Sequence, residues 1–86
     1  MEKYFIITKD VRTYRDGLKK VDRWVREFDT LEKATQQMCE DYKDYKESTL
    51  HTIKKAKVGL FTGIPDYFEV ERPGKVHEQF LVKVEV

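Results

Sequence analysis

The period of apolar and polar positions changes near residue 29, and the change divides the chain into strands and a helix. Lys3-Tyr4-Phe5-Ile6-Ile7-Thr8-Lys9 is aromatic, β-branched and apolar on both faces, the pattern of a strand that should lie centrally in a sheet. Asp16-Gly17 are residue types that accept positive φ, which predicts a two-residue type I′ hairpin turn. Closing the chain there sets Phe5 opposite Phe28 and Asp10 opposite Arg23, both favourable cross-strand pairs. Leu18, Val21, Trp24, Val25 and Phe28 also recur at helical spacing, so this stretch reads as either helix or strand. A single continuous helix fails, because the apolar stripes of 18–28 and 31–45 would lie about 100° apart on it. A strand over about 20–28 is the preferred reading.

Asp29-Thr30-Leu31-Glu32 reads as a capping box, with Asp29 accepting from backbone N–H groups and Glu32 reaching back, and opens a helix over about 29–47. Leu31, Ala34, Met38, Tyr42 and Tyr45 cluster within about 80° on the helical wheel, with Thr35 and Cys39 at the margin, so this stripe should pack on the sheet. Glu40, Asp44 and Glu47 form an acidic stripe on the opposite side. The doublet Asp41-Tyr42-Lys43-Asp44-Tyr45-Lys46 places only its tyrosines on the core side and reads as helix composition, not as a repeat. Residues 50–61 suggest a third strand, kinked near Gly59, whose Lys54, Lys55 and Lys57 suit a sheet edge. Thr62-Gly63-Ile64-Pro65-Asp66 then breaks the chain. Two registers compete in the last hairpin. A two-residue turn pairing Arg72 with Lys75 sets Glu69 against Glu78 and puts Phe68 and Val70 on the face of Gln79 and Lys83. A three-residue loop of Pro73-Gly74-Lys75, pairing Arg72 with Val76, sets Phe68 against Phe80 and Glu71 against His77, and gathers Val70, Val82, Val84 and Val86 on Phe68's face. Face consistency favours the second. The expected fold is one α+β domain over 1–86: a mainly antiparallel sheet of about four to five strands, in ββαβββ order, against one amphipathic helix. The C-terminal residues belong to its core sheet.

A chain of 86 residues buries only roughly 60–65% of the surface it exposes when unfolded, and a core of this size supplies ~3–5 kcal/mol. Dimerisation would add to that, whereas the lone Cys39 cannot form an internal disulfide. One free cysteine and the lack of a secretory signal point to a reducing cytoplasm, and no apolar run approaches a membrane span. Charged residues make up 38% of the chain, yet 17 basic and 16 acidic side chains nearly cancel, which disfavours recruitment of nucleic acid by a global field and whole-molecule DNA mimicry alike. Charge is uneven locally. Residues 1–28 carry +3, residues 29–48 carry −3 and the remainder +1.

No constellation of catalytic, metal-binding or nucleotide-binding residues emerges. His51, His77 and Cys39 lack the paired spacing of a zinc site. Cys39, at the edge of an apolar helix stripe, reads as an inert thiol. Asp66, Glu69 and Glu71 faintly suggest a nuclease-like acidic centre, but the lysine such a centre requires is missing from Glu69-Val70-Glu71. Gly59, Gly63 and Gly74 precede no helix and cradle no phosphate. Neither catalytic activity nor a cofactor is expected. Nucleic-acid binding has more support, since Tyr4, Tyr14 and Trp24 are interleaved with Lys9, Arg12, Arg15, Lys19, Lys20, Arg23 and Arg26, and aromatics among cations can stack bases. The plainer alternative makes Trp24 a core residue and lets the cations solvate an outer face.

From Trp24 to Ala34, a strand ending in an aromatic-acidic-Thr turn leads into a Glu/Ala helix and then β structure. In this the sequence resembles small accessory proteins of bacteriophages and prophages over about residues 20–60. The resemblance is architectural and assigns no role to any residue. It implies a protein that binds and modulates a host or defence protein. Read from the residues, the acidic helix face of Glu40, Asp44 and Glu47 and the sheet edge of Lys54, Lys55 and Lys57 are the candidate contacting groups. Two further readings stand beside it: nucleic-acid binding by the basic N-terminal hairpin, and sequestration of a small anionic ligand between protomers of an oligomer.

Overall fold

The computed structural model describes residues 1–59 and 63–85. Its elements run β1 (Glu2–Thr13), β2 (Lys19–Phe28), α1 (Leu31–Glu47), β3 (Thr52–Val58), β4 (Pro65–Arg72) and β5 (Lys75–Glu85). The five strands form one antiparallel sheet in the order β2-β1-β5-β4-β3. The helix packs against one face, so the α+β class and ββαβββ order expected from the sequence hold. β1 is flanked on both sides, and the lysine-bearing β3 is an edge. Residues 19–28 are strand, not helix. The third strand stops at Val58, and residues 60–62 of the expected strand and chain break lie outside the described residues.

Both hairpin registers differ from expectation by one residue. In the first, Gly17 N–H donates to Tyr14 O at 2.9 Å and Tyr14 N–H to Leu18 O at 2.8 Å, so the loop holds three residues, Arg15-Asp16-Gly17. Gly17 takes φ 85, and Asp16 Oδ1 accepts from Leu18 N–H at 3.1 Å. This is a turn closed by a left-handed glycine and steadied by a side chain that mimics a backbone acceptor. Tyr4 therefore faces Phe28, Phe5 faces Glu27 and Asp10 faces Asp22, and the pairs Phe5–Phe28 and Asp10–Arg23 do not form.

The second hairpin has the shorter loop that face consistency rejects. Arg72 pairs with Lys75 across Pro73-Gly74, with Gly74 at φ 79. Proline's fixed φ near −65° followed by a glycine at positive φ is the combination of a type II turn. Phe68 accordingly faces Gln79 and Val70 faces His77, not Phe80 and Glu78 as the longer loop requires. The reason lies in packing. The sequence argument places the apolar residues of β5 on the core side, whereas α1 covers the side carrying His77, Gln79 and Leu81, and Phe80, Val82 and Val84 point away from it. Val86 lies outside the described residues.

Ile6, Met38, Phe68 and Val70 form the buried core, with Phe28, Tyr42, Tyr45, Ile53 and Leu81 packed around them. Ala34 and Met38 are the buried members of the helix stripe, but Leu31 is 50% exposed. The cap moves by one residue. Thr30 accepts from Lys33 N–H at 3.2 Å, while Asp29 instead lies 3.8 Å from Lys33 Nζ, so there is no capping box centred on Asp29. Trp24 is 42% exposed, which removes it from the core where the plainer sequence reading places it.

Candidate functional site

Two features stand out on opposite sides of the sheet: a polar cluster beneath the helix and an apolar face that no helix covers. The cluster arises because strand pairing aligns Asp10 on β1 with His77 on β5, and Thr8 with Gln79. All four side chains point toward α1 and are buried. His77 Nδ1 meets Asp10 Oδ1, and Lys75 Nζ lies 3.2 Å from the other oxygen of that carboxylate. His77 Nε2 lies 2.9 Å from Gln79 Oε1, while Gln79 Nε2 donates to Asp41 Oδ2 at 2.7 Å. That donation turns the amide oxygen toward the ring. Both ring nitrogens thus face side-chain oxygens.

Asp41, on the helix, completes the chain of contacts by accepting from Arg26 Nη2 at 2.7 Å and from Gln37 Nε2 at 2.9 Å. Burial works to raise the Asp41 pKa, but the hydrogen bonds from Arg26, Gln37 and Gln79 outweigh it and hold the carboxyl below its ordinary value. Burial, followed by the Asp10 and Asp41 charges, pushes the Tyr45 hydroxyl up, and its ring centroid lies 4.8 Å from that of His77. Beside the cluster opens a cleft of about 310 Å³, bordered by Trp24, Arg26, Asp44 and Tyr45 as well as the buried residues. Two enclosed atoms in its wall, Thr8 Oγ1 and Arg26 Nε, have no hydrogen-bond partner in the protein. The arrangement is suited to pinning helix to sheet across β1, β2 and β5.

The other side of the sheet follows from the same pairings. Val25, Ile7, Phe80 and Tyr67 form one row across β2, β1, β5 and β4, and Phe5 and Val82 lie in the next. Val25 is 57% exposed, and the other five are half-buried only by their neighbours in the sheet. Contiguous apolar surface of this kind marks contact sites.

The candidate residues read from the sequence do not converge. Glu40, Asp44 and Glu47 are exposed on α1; Asp44 borders the cleft, and Glu40 borders a separate hollow with Phe28. Lys54 sits at an irregularity of β3, 3.8 Å from Glu71, while Lys55 and Lys57 pair with Glu69 and Tyr67 and project on the helix-free side. Tyr14 and Arg15 are in the first hairpin. Lys19 and Arg23 share the helix-free side, but Lys20 and Arg26 point to the helix side, where Arg26 is held by Asp41. The basic set is thus split between two faces. The sequence reading missed Asp10, His77, Gln79 and Asp41 as a group. It also missed the second apolar face, although β1's apolar residues on both sides signalled it, since one helix can cover only one.

Among the described residues no group of three His, Cys, Asp or Glu side chains is placed to hold a metal ion, and no helix is long and apolar enough to cross a membrane. Compared with family models, curated proteins and solved structures, the chain matches none of the three.

Proposed function

We propose that this chain is a non-catalytic binding module that contacts another protein through the helix-free face of its sheet. The observation that supports this reading is the apolar row of Val25, Ile7, Phe80 and Tyr67, flanked by Phe5 and Val82, on a side of the sheet that α1 leaves open. Such a face carries a standing cost in water, and burying it against protein at about 25 cal/mol per Å² of apolar surface is the direct relief. Modulation of a host or defence protein, the role implied by the phage-like resemblance, would proceed through such contacts. The division of Lys19, Lys20, Arg23 and Arg26 between two faces weakens the nucleic-acid reading, because no single surface then combines the cations with Trp24.

The test is photo-cross-linking in the native cell. A photoreactive side chain at Val25 should yield a covalent protein adduct that the companion substitution Phe80→Glu removes, whereas the same group at Lys43 on the helix should yield none. Absence of an adduct at Val25 overturns the reading.

A further inference from the structure

Across β2, β1, β5 and β4 of the helix-free face a fully charged row lies beside the apolar ones, and the order of its signs is informative. Arg23, Lys9, Glu78 and Glu69 are aligned across β2, β1, β5 and β4. Reading across the sheet, the signs are plus, plus, minus, minus. Over these four strands the pattern inverts about a line running between β1 and β5; Lys55 on β3 continues the row beyond Glu69, outside the strands that the inversion relates. None of the four side chains makes an ion pair among the described residues, although other surface charges do.

A surface whose charges invert about its centre is complementary to itself. When two copies stack face to face around a two-fold axis parallel to the strands, between β1 and β5, each β1 lies over the second copy's β5 and each β2 over its β4. Lys9 then meets the second copy's Glu78, and Arg23 meets the second copy's Glu69. The same rotation sets Ile7 on Phe80, Phe5 on Val82, Val11 on Val76 and Val25 on Tyr67. These are pairings of apolar with apolar, and the one mismatch lies toward the end of the face, where Val21 meets the second copy's Glu71. A two-fold axis across the strands fails: centred on the charged row it puts Lys9 on Lys9, and centred on the apolar row it drives the charges onto Phe5 and Val82. Aligned stacking of two twisted sheets at about −30° needs each sheet to tilt by only half that angle from the axis, which keeps the central pairs in register.

Size agrees with this arrangement. Four strands at about 4.8 Å spacing, each offering about nine residues at about 3.3 Å, make a face of roughly 500–600 Å² in plan. Two such faces clear the roughly 1,000 Å² expected of a specific interface. We infer that the partner of this face is a second copy of the chain, and that the charged row sets the two-fold register of a sheet-on-sheet homodimer. This rests on the binding reading above and names its partner. Because the interface is isologous, every contact occurs twice.

Analytical ultracentrifugation of the intact chain across a micromolar concentration series should show a dimer. Lys9→Glu and Glu78→Lys should each raise its dissociation constant at least about tenfold, because like charges then meet at both copies of the contact. Mixing the two variants is the decisive step. In the mixed pair the introduced carboxylate faces the introduced ammonium and the native Glu78 faces the native Lys9, so a heterodimer should form from two weakened homodimers, with circular dichroism confirming that each variant is folded. Val25→Asp, at an edge-strand position that is already exposed, should also dissociate the dimer and serves if a central variant fails to fold. A mixture that stays monomeric while both variants are folded, or a Val25→Asp dimer as tight as wild type, overturns the proposal. A wild-type monomer overturns it too. Should that monomer still cross-link from Val25 to a different protein, the binding reading survives; without any adduct both fall.

Discussion

Asp41 shows how one carboxylate can tie three elements together. It accepts from Arg26 on β2, Gln37 on α1 and Gln79 on β5, and its pKa is lowered in the folded protein despite burial. A lowered carboxyl pKa adds stability that is complete above the unfolded value, 3.8, and is lost as pH falls through the folded value. Acid unfolding of the wild type should therefore steepen below pH 3.8, and Asp41→Asn should flatten that limb in urea titrations repeated across pH. Asp41→Ala should cost roughly 2 kcal/mol at neutral pH, less than a fully buried pair would, because the Arg26 side chain remains 35% exposed. Gly17 illustrates a different constraint. At φ 85 and with nothing within 4 Å of an added Cβ, Gly17→Ala meets only backbone strain, about 1–2 kcal/mol, and Gly17→Asn should cost less in the same denaturation assay. The glycine and its turn were legible in the sequence. The polar partners of Asp41 were not, because they lie on three elements far apart in the chain.

The helix and its hairpins were legible in kind but not in register. Capping chemistry located the N-cap of α1 to within one residue, and Thr30 rather than Asp29 does the capping. Thr30→Ala should consequently cost about 1 kcal/mol, whereas Asp29→Ala, which loses only a surface pair with an 88% exposed side chain, should cost under about 0.5 kcal/mol. Thermal melts of the two variants would separate the assignments. Both hairpins turn where glycines permit it, yet each loop differs by one residue from the expected length. Because strand side chains alternate, a one-residue error moves Phe80 from one side of the sheet to the other. Pairing of β5 with both β1 and β4 makes it indispensable, so ending the chain after Gln79 should leave it unfolded by circular dichroism.

The whole molecule measures only 16 Å along its shortest axis, which is one sheet and one helix. A sheet in such a two-layer arrangement has a single covered face. Stability should concentrate where strands are flanked on both sides. Amide exchange should be slowest in β1 and β5 and fastest at the outer edges of β2 and β3, and a stacked second copy would slow exchange further in β1 and β5 as protein concentration rises. The same geometry explains the compositional balance of the chain: Phe5, Ile7, Phe80 and Val82 would be surplus to a core served by one helix, and they become interior residues only in a four-layer assembly.

What the sequence by itself determined is the set of elements: the strands, the helix, the lysine-bearing edge and the turn glycines. These depend on short-range causes, namely side-chain periodicity, capping and permitted φ values, which a few neighbouring residues are enough to specify. What only the tertiary structure decided is which side of the sheet the helix covers. Apart from Lys9 and Glu78, the mid-strand residues of β1 and β5 are apolar on the side away from α1, and the side beneath it mixes Ile6 and Leu81 with Asp10, His77 and Gln79. The choice depends on Asp41 and Arg26 arriving from other elements to satisfy those polar groups. That long-range compensation leaves the more uniformly apolar face open.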